Sequence, residues 1–210
     1  MNRLVSRIGA IIVTVTVFLF MIFLIIGFTY GSYLVCLFLP IGYIMTAAGL
    51  CHESSEDRRV AASIGLITAA VYAVLIMLVY YSQLTTVHLE KLDGAAKNLL
   101  DYRRGSLMFN YDLLGYGMMA LSTFFIGLSL KPETKADKWL RVLMMVHGIF
   151  FISCVFMPMT GMFAHMGDGD HYNAAPIGGG ALALIIWCIY FLPIGILAFV
   201  HFGKDSTGNT

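Results

Sequence analysis

Six apolar runs, each long enough to cross a bilayer, take up most of this 210-residue chain and leave nearly all its charge in the stretches between them. A hydrocarbon core about 30 Å thick needs about 20 such residues per helix. The runs are Ile8–Phe28, Tyr33–Leu50, Val60–Tyr81, Leu107–Leu130, Trp139–Met162 and Ile177–His201. They are continuously apolar rather than alternating, which predicts helices and excludes a barrel. Only 12% of residues are charged, against about 25% in a soluble domain. The chain therefore reads as an all-α polytopic membrane protein: a six-helix bundle forming one integral-membrane domain over residues 1–210, with no room for a separate soluble domain.

Arg3 and Arg7 before the first run resemble the start of a signal peptide. The run is too long for a signal core and no small-x-small cleavage site follows, so it is read as the first span. With the N-terminus in the cytoplasm, nine basic residues lie inside: Arg3, Arg7, Arg58, Arg59, Lys131, Lys135, Lys138, Arg141 and Lys204. Lys91, Lys97, Arg103 and Arg104 lie outside. This bias predicts a multi-pass protein of the cell membrane with both termini cytoplasmic. A net charge of +1 gives no nucleic-acid footprint. Cys36, Cys154 and Cys188 lie within spans and Cys51 at a cytoplasmic helix end, so no disulfide is expected.

Thr29-Tyr30-Gly31-Ser32 reads as a tight turn between antiparallel neighbours. The loop from Cys51 to Arg59 is polar, and Ser55 with Glu53, Glu56 and Asp57 places acid near the start of the third helix. On that helix Ala61, Gly65, Ala69 and Ala73 form a smooth stripe, which predicts close approach of a neighbouring helix. Gly178, Gly179, Gly180, Ala181 and Ala183 offer a similar surface at the start of the sixth. The stretch from Ser82 to Ser106 is too long for a simple connection. Leu92, Ala95, Ala96 and Leu99 recur there at helical spacing, which predicts a short amphipathic surface helix between the third and fourth spans, capping the bundle or lying among headgroups. Lys131–Lys138 reads as a cytoplasmic turn ahead of an interfacial Trp139, and the tail from Gly203 as polar. Cys36–Pro40 and Cys154–Pro158 share a pattern that a three-plus-three inverted repeat would produce. Phe191–Gly195, identical to Phe38–Gly42, does not fit that scheme.

Ionisable groups inside spans are costly and mark candidate sites. Asp112 lies in the outer third of the fourth run and begins a stripe with Tyr116, Met119 and Thr123. Tyr80 and Tyr81 fall at similar depth, Tyr30 and Tyr33 flank the first outer turn, and Asn110 and Tyr111 precede the carboxylate. These residues point to a tyrosine-rich ligand-binding vestibule at the outer end, built from Tyr33, Tyr80, Tyr81, Asp112 and Tyr116. The alternative is a structural Asp112, paired with Arg103, Arg104 or a tyrosine hydroxyl. His147, deeper in the fifth run, is a candidate proton carrier, or a neutral histidine bonded to Ser122 or Thr123. His201 and Arg141 lie near enough to helix ends to reach water. His165, Asp168, Asp170 and His171 in the last outer loop have the chemistry of a metal site, against the alternative of a polar turn. His52 and His201 are the only histidines at matching depth, which disfavours haem. No phosphate loop, catalytic carboxylate pair or HExxH is present.

Three function classes follow. The leading one is a non-enzymatic protein that binds or transports a small molecule, or faces lipid. The second is a membrane-embedded metal-dependent enzyme using the His165–His171 loop. The third is a regulatory or assembly subunit acting through its helix faces with a partner subunit or in an oligomer.

Overall fold

The computed structural model describes residues 1–90, 92–103, 105–161 and 179–203, and the side chains of 179 and 180 fall outside that description. Among the described residues it is all-helical. The helices are α1 (Asn2–Ile25), α2 (Thr29–His52), α3 (Arg59–Ser82), α4 (Gly94–Leu100), α5 (Leu107–Ser129), α6 (Lys135–His147), α7 (Phe150–Met159) and α8 (Gly179–Phe202). Six are long and apolar enough to cross a membrane, counting α6 with α7 as one and extending α3 to Val87. A 24-residue helix rises about 36 Å, more than the hydrocarbon core. Large apolar side chains such as Phe18, Ile67, Leu78, Ile152 and Ile189 face outward.

The helices pack as a ring in the order α1, α2, α3, α5, α6, α8 and back to α1, with α7 against α5. The closest approaches occur at glycines. A Cβ on Gly9 of α1 would stand 2.8 Å from the carbonyl oxygen of Gly42 on α2, and one on Gly42 would stand 2.9 Å from that of Gly9. On the other flank of α1, a Cβ on Gly195 of α8 would meet Thr14. The two identical Phe-Leu-Pro-Ile-Gly segments therefore do one job: each sets a glycine against α1, from two helices that both run antiparallel to it. The small-residue stripe of α3 faces α5. Gly65, Ala69 and Ala73 are buried, and the Ser122 hydroxyl donates to the Gly65 carbonyl at 2.6 Å.

Several boundaries differ from the sequence reading. The first turn is Ile26-Gly27-Phe28 rather than 29–32. Gly27 takes φ +71, a left-handed conformation that glycine adopts without steric penalty, and Thr29–Ser32 form the first turn of α2. The fifth span begins earlier, at Lys135, because Thr134 and Asp137 form a reciprocal capping box. It is also broken. At Gly148 and Ile149 the backbone bonds tighten to the third residue back, and α7 starts anew at Phe150. The surface helix exists as the seven-residue α4, started by Gly94 at φ +48, but none of its residues is buried and Leu99 is exposed.

Candidate functional site

α5 is capped by Ser106, whose side chain accepts from the Phe109 N–H, and the helix then carries Asp112, Tyr116, Met119 and Thr123 inward. All four are buried, Asp112 to 2% exposure. Tyr102, in the segment before α5, donates its hydroxyl to Asp112 Oδ2 at 2.7 Å. The segment is held in place by α3. That helix widens into a π turn over Gln83–Val87, a feature frequent at functional sites. The buried Gln83 donates to the Leu100 carbonyl at 2.7 Å and accepts from the Tyr102 N–H at 3.1 Å. Tyr102 is stacked on Tyr80 at 6.1 Å, and Tyr33 lies 5.5 Å from Tyr80 and 5.7 Å from Tyr102. Below them Tyr116 packs on Tyr72 at 5.8 Å and on Trp187 at 5.2 Å.

Of the predicted vestibule, Tyr33, Tyr80, Asp112 and Tyr116 come together. Tyr81 does not: it is 62% exposed, because adjacent residues on a helix point about 100° apart. Tyr111 and Tyr30 are exposed too, and Tyr30 packs against His88. Arg103 is not the partner of Asp112; it donates to the Asn98 carbonyl at the surface. Arg104 lies outside the described residues, as do His165, Asp168, Asp170 and His171. Tyr102, Gln83 and Tyr72 were not read from the sequence. Tyr72 carries a usable signal, since it continues the Gly65–Ala69 face of α3. Tyr102 and Gln83 carry none, since a fold-back from a long connection has no periodicity.

The carboxylate is only half satisfied. Among the described residues, Asp112 Oδ1 is buried without a hydrogen-bond partner, and so are the hydroxyls of Tyr116 and Tyr72. No Lys or Arg among the described residues pairs with it. A bare carboxylate at membrane depth costs about 2.5–3.5 kcal/mol even on permissive scales. One hydrogen bond to a charged group returns about 1.5–3 kcal/mol, so Tyr102 at best balances the burial and leaves Oδ1 unserved.

The other buried carboxylate is built differently. Asp137 Oδ2 accepts from the N–H groups of Glu133 and Thr134 and from the Thr134 hydroxyl, and its Oδ1 accepts from His201 Nδ1 at 2.7 Å. His201 turns its second nitrogen to Glu53 Oε2 at 2.9 Å. Both ring nitrogens face carboxylates, so both carry protons. His201 keeps 13% of its side chain exposed at the helix end and clasps α8 to α2 and α6. Arg3 of α1 completes the cluster on Glu53 at 3.0 Å. The hydrogen bond from His201 holds the Glu53 carboxyl below its usual range, with Arg3 adding to the effect. His52 is engaged by Asn2.

His147 sits at the α6–α7 break, fully ringed by protein. The Trp187 indole N–H donates to its Nε2 at 3.0 Å. That assigns the one proton of a neutral ring to Nδ1, which meets Thr123 Oγ1 at 2.8 Å, and Thr123 donates onward to the Ala120 carbonyl. A second proton would point at the indole N–H. The arrangement matches the neutral, hydroxyl-bonded alternative for this residue.

The terminal cluster and His147 thus have complete partners, and the Asp112 cluster does not. No family model, no curated protein and no solved structure matches the chain.

Proposed function

We propose that this is a non-enzymatic binding or transport protein of the cell membrane, with both termini cytoplasmic, whose small-molecule ligand is held at Asp112 among Tyr33, Tyr80, Tyr102 and Tyr116. The observation that carries the reading is the buried Asp112 Oδ1, which has no partner among the described residues, together with the likewise unpartnered hydroxyls of Tyr116, one helical turn along, and of Tyr72, whose ring packs on Tyr116. Buried polar groups are ordinarily paired, and an exception calls for a reason. Asp137 supplies the internal contrast: where this fold uses a buried carboxylate as structure, it saturates both oxygens. The charge bias that puts nine basic residues at the end holding both termini leaves the Asp112 cluster at the outer end.

The test is a thermal-shift panel of small amines, amino acids and neutral polyols on the purified protein and on Asp112→Asn. A ligand at a hundred times its Kd stabilises by about 2.7 kcal/mol, a shift of several degrees. The reading predicts that one or more compounds raise the Tm of the wild type and leave Asp112→Asn unmoved. Equal shifts in both proteins, or no shift in either, would overturn it.

A further inference from the structure

We infer that the Asp112 cluster binds a monovalent cation, either an alkali ion or the ammonium head of a small amine, through Asp112 Oδ1 and the hydroxyl oxygens of Tyr116 and Tyr72. This rests on the reading of Asp112 as the ligand site and adds the ligand's charge and class. Among the described residues, three buried oxygens without partners lie on two packed helices, Asp112 and Tyr116 on α5 and Tyr72 on α3. All three accept, and they are hard oxygen donors, which suit alkali and ammonium cations better than soft or borderline metals.

Charge sets the valence. Among the described residues, the titratable groups within electrostatic reach of Asp112 are the hydroxyls of Tyr102, Tyr80, Tyr72 and Tyr116 and the thiols of Cys36 and Cys154. All are neutral when protonated, so the site holds one negative charge. One monovalent cation neutralises it, whereas a divalent ion would leave a full positive charge buried. The clustered rings of Tyr33, Tyr80 and Tyr102 add faces that attract a cation. A proton on Asp112 Oδ1 competes for the same place: the cation enters as the proton leaves.

Trp187, 5.2 Å from Tyr116, is a built-in reporter. The chain has two tryptophans, and Trp139 is exposed on α6, so Trp139→Phe leaves Trp187 alone. In that background, sodium chloride, potassium chloride and methylammonium chloride are titrated against N-methyl-D-glucamine chloride at constant ionic strength, reading Trp187 emission and Tm. The expected result is a saturable change with at least one cation, absent in Asp112→Asn and at least about tenfold weaker in Tyr116→Phe. Its apparent affinity should fall by about tenfold per pH unit once protons occupy the carboxyl. A response to alkali ions alone makes the ligand an ion, and a response to methylammonium alone makes it an amine. No saturable response in the wild type, or one retained at full affinity in both variants, overturns the inference. A response to pH alone, lost in Asp112→Asn, or stabilisation through Asp112 by neutral compounds only, sinks the cation and leaves Asp112 as the ligand site.

Discussion

Two aspartates and two histidines inside this bundle are told apart by their partners. Asp137 has both oxygens bonded and Asp112 has one; His201 faces two carboxylates and His147 faces an indole N–H and a hydroxyl. Each difference can be measured. Thr123→Val keeps the shape beside His147 but removes the acceptor of its Nδ1 proton. A buried donor left unmade costs about 1–3 kcal/mol, and a denaturant or thermal melt should show that loss. At the terminal cluster the Glu53 carboxyl is depressed in the folded state. Its contribution to stability is therefore complete above the ordinary glutamate value of 4.5 and is lost as pH falls through the lower folded value. A Tm-against-pH series should show the wild type losing stability below about pH 4.5, with Glu53→Gln starting lower and giving a flatter acid limb. An identical acid limb in the two proteins would remove Glu53 from the clasp.

At the scale of elements, helix contacts are made by removing side chains. A Cβ on Gly65 would stand 2.5 Å from Ile126 Cγ1 and 3.1 Å from the Ser122 carbonyl oxygen, so backbone blocks any relief. Gly65→Ala is predicted to cost about 1–3 kcal/mol, and Gly65→Leu to abolish the folded yield from membranes. Ile67→Leu, on the outward face of the same helix, should change neither yield nor Tm. The stripe was readable because small residues four apart share a face whatever they pack on. The Thr134–Asp137 capping box was in principle readable too, and would have placed the start of α6 correctly. The break at Gly148 was not: a lone glycine is tolerated inside a membrane helix, and only the packing of Gly148 against Phe124, with Tyr190 bonded to the Leu143 carbonyl at 2.6 Å, makes this one a discontinuity.

For the whole molecule, hydropathy alone located the six helices long and apolar enough to cross a membrane, because a chain this apolar has few ways to satisfy its backbone. It also set Asp112 inward, since Tyr116, Met119 and Thr123 mark the face. What closes the site was hidden: Tyr102 returns from a connection whose path depends on Gln83 and the π turn, and no pattern in the sequence records that. Topology is tested by Ser54→Cys. The charge bias predicts nine basic residues inside, so the new thiol should resist membrane-impermeant maleimide in intact cells and react in opened ones; labelling from outside would invert the bundle. Whether Asp112 is a ligand group or a structural one is decided by the Tm of Asp112→Asn. The amide keeps an acceptor for Tyr102 and removes the half-served charge. As a ligand group, Asp112 leaves a variant that, free of ligand, melts at or above the wild-type temperature and no longer responds to the compound that stabilises the wild type. A melt several degrees lower, with that response intact, would contradict that role.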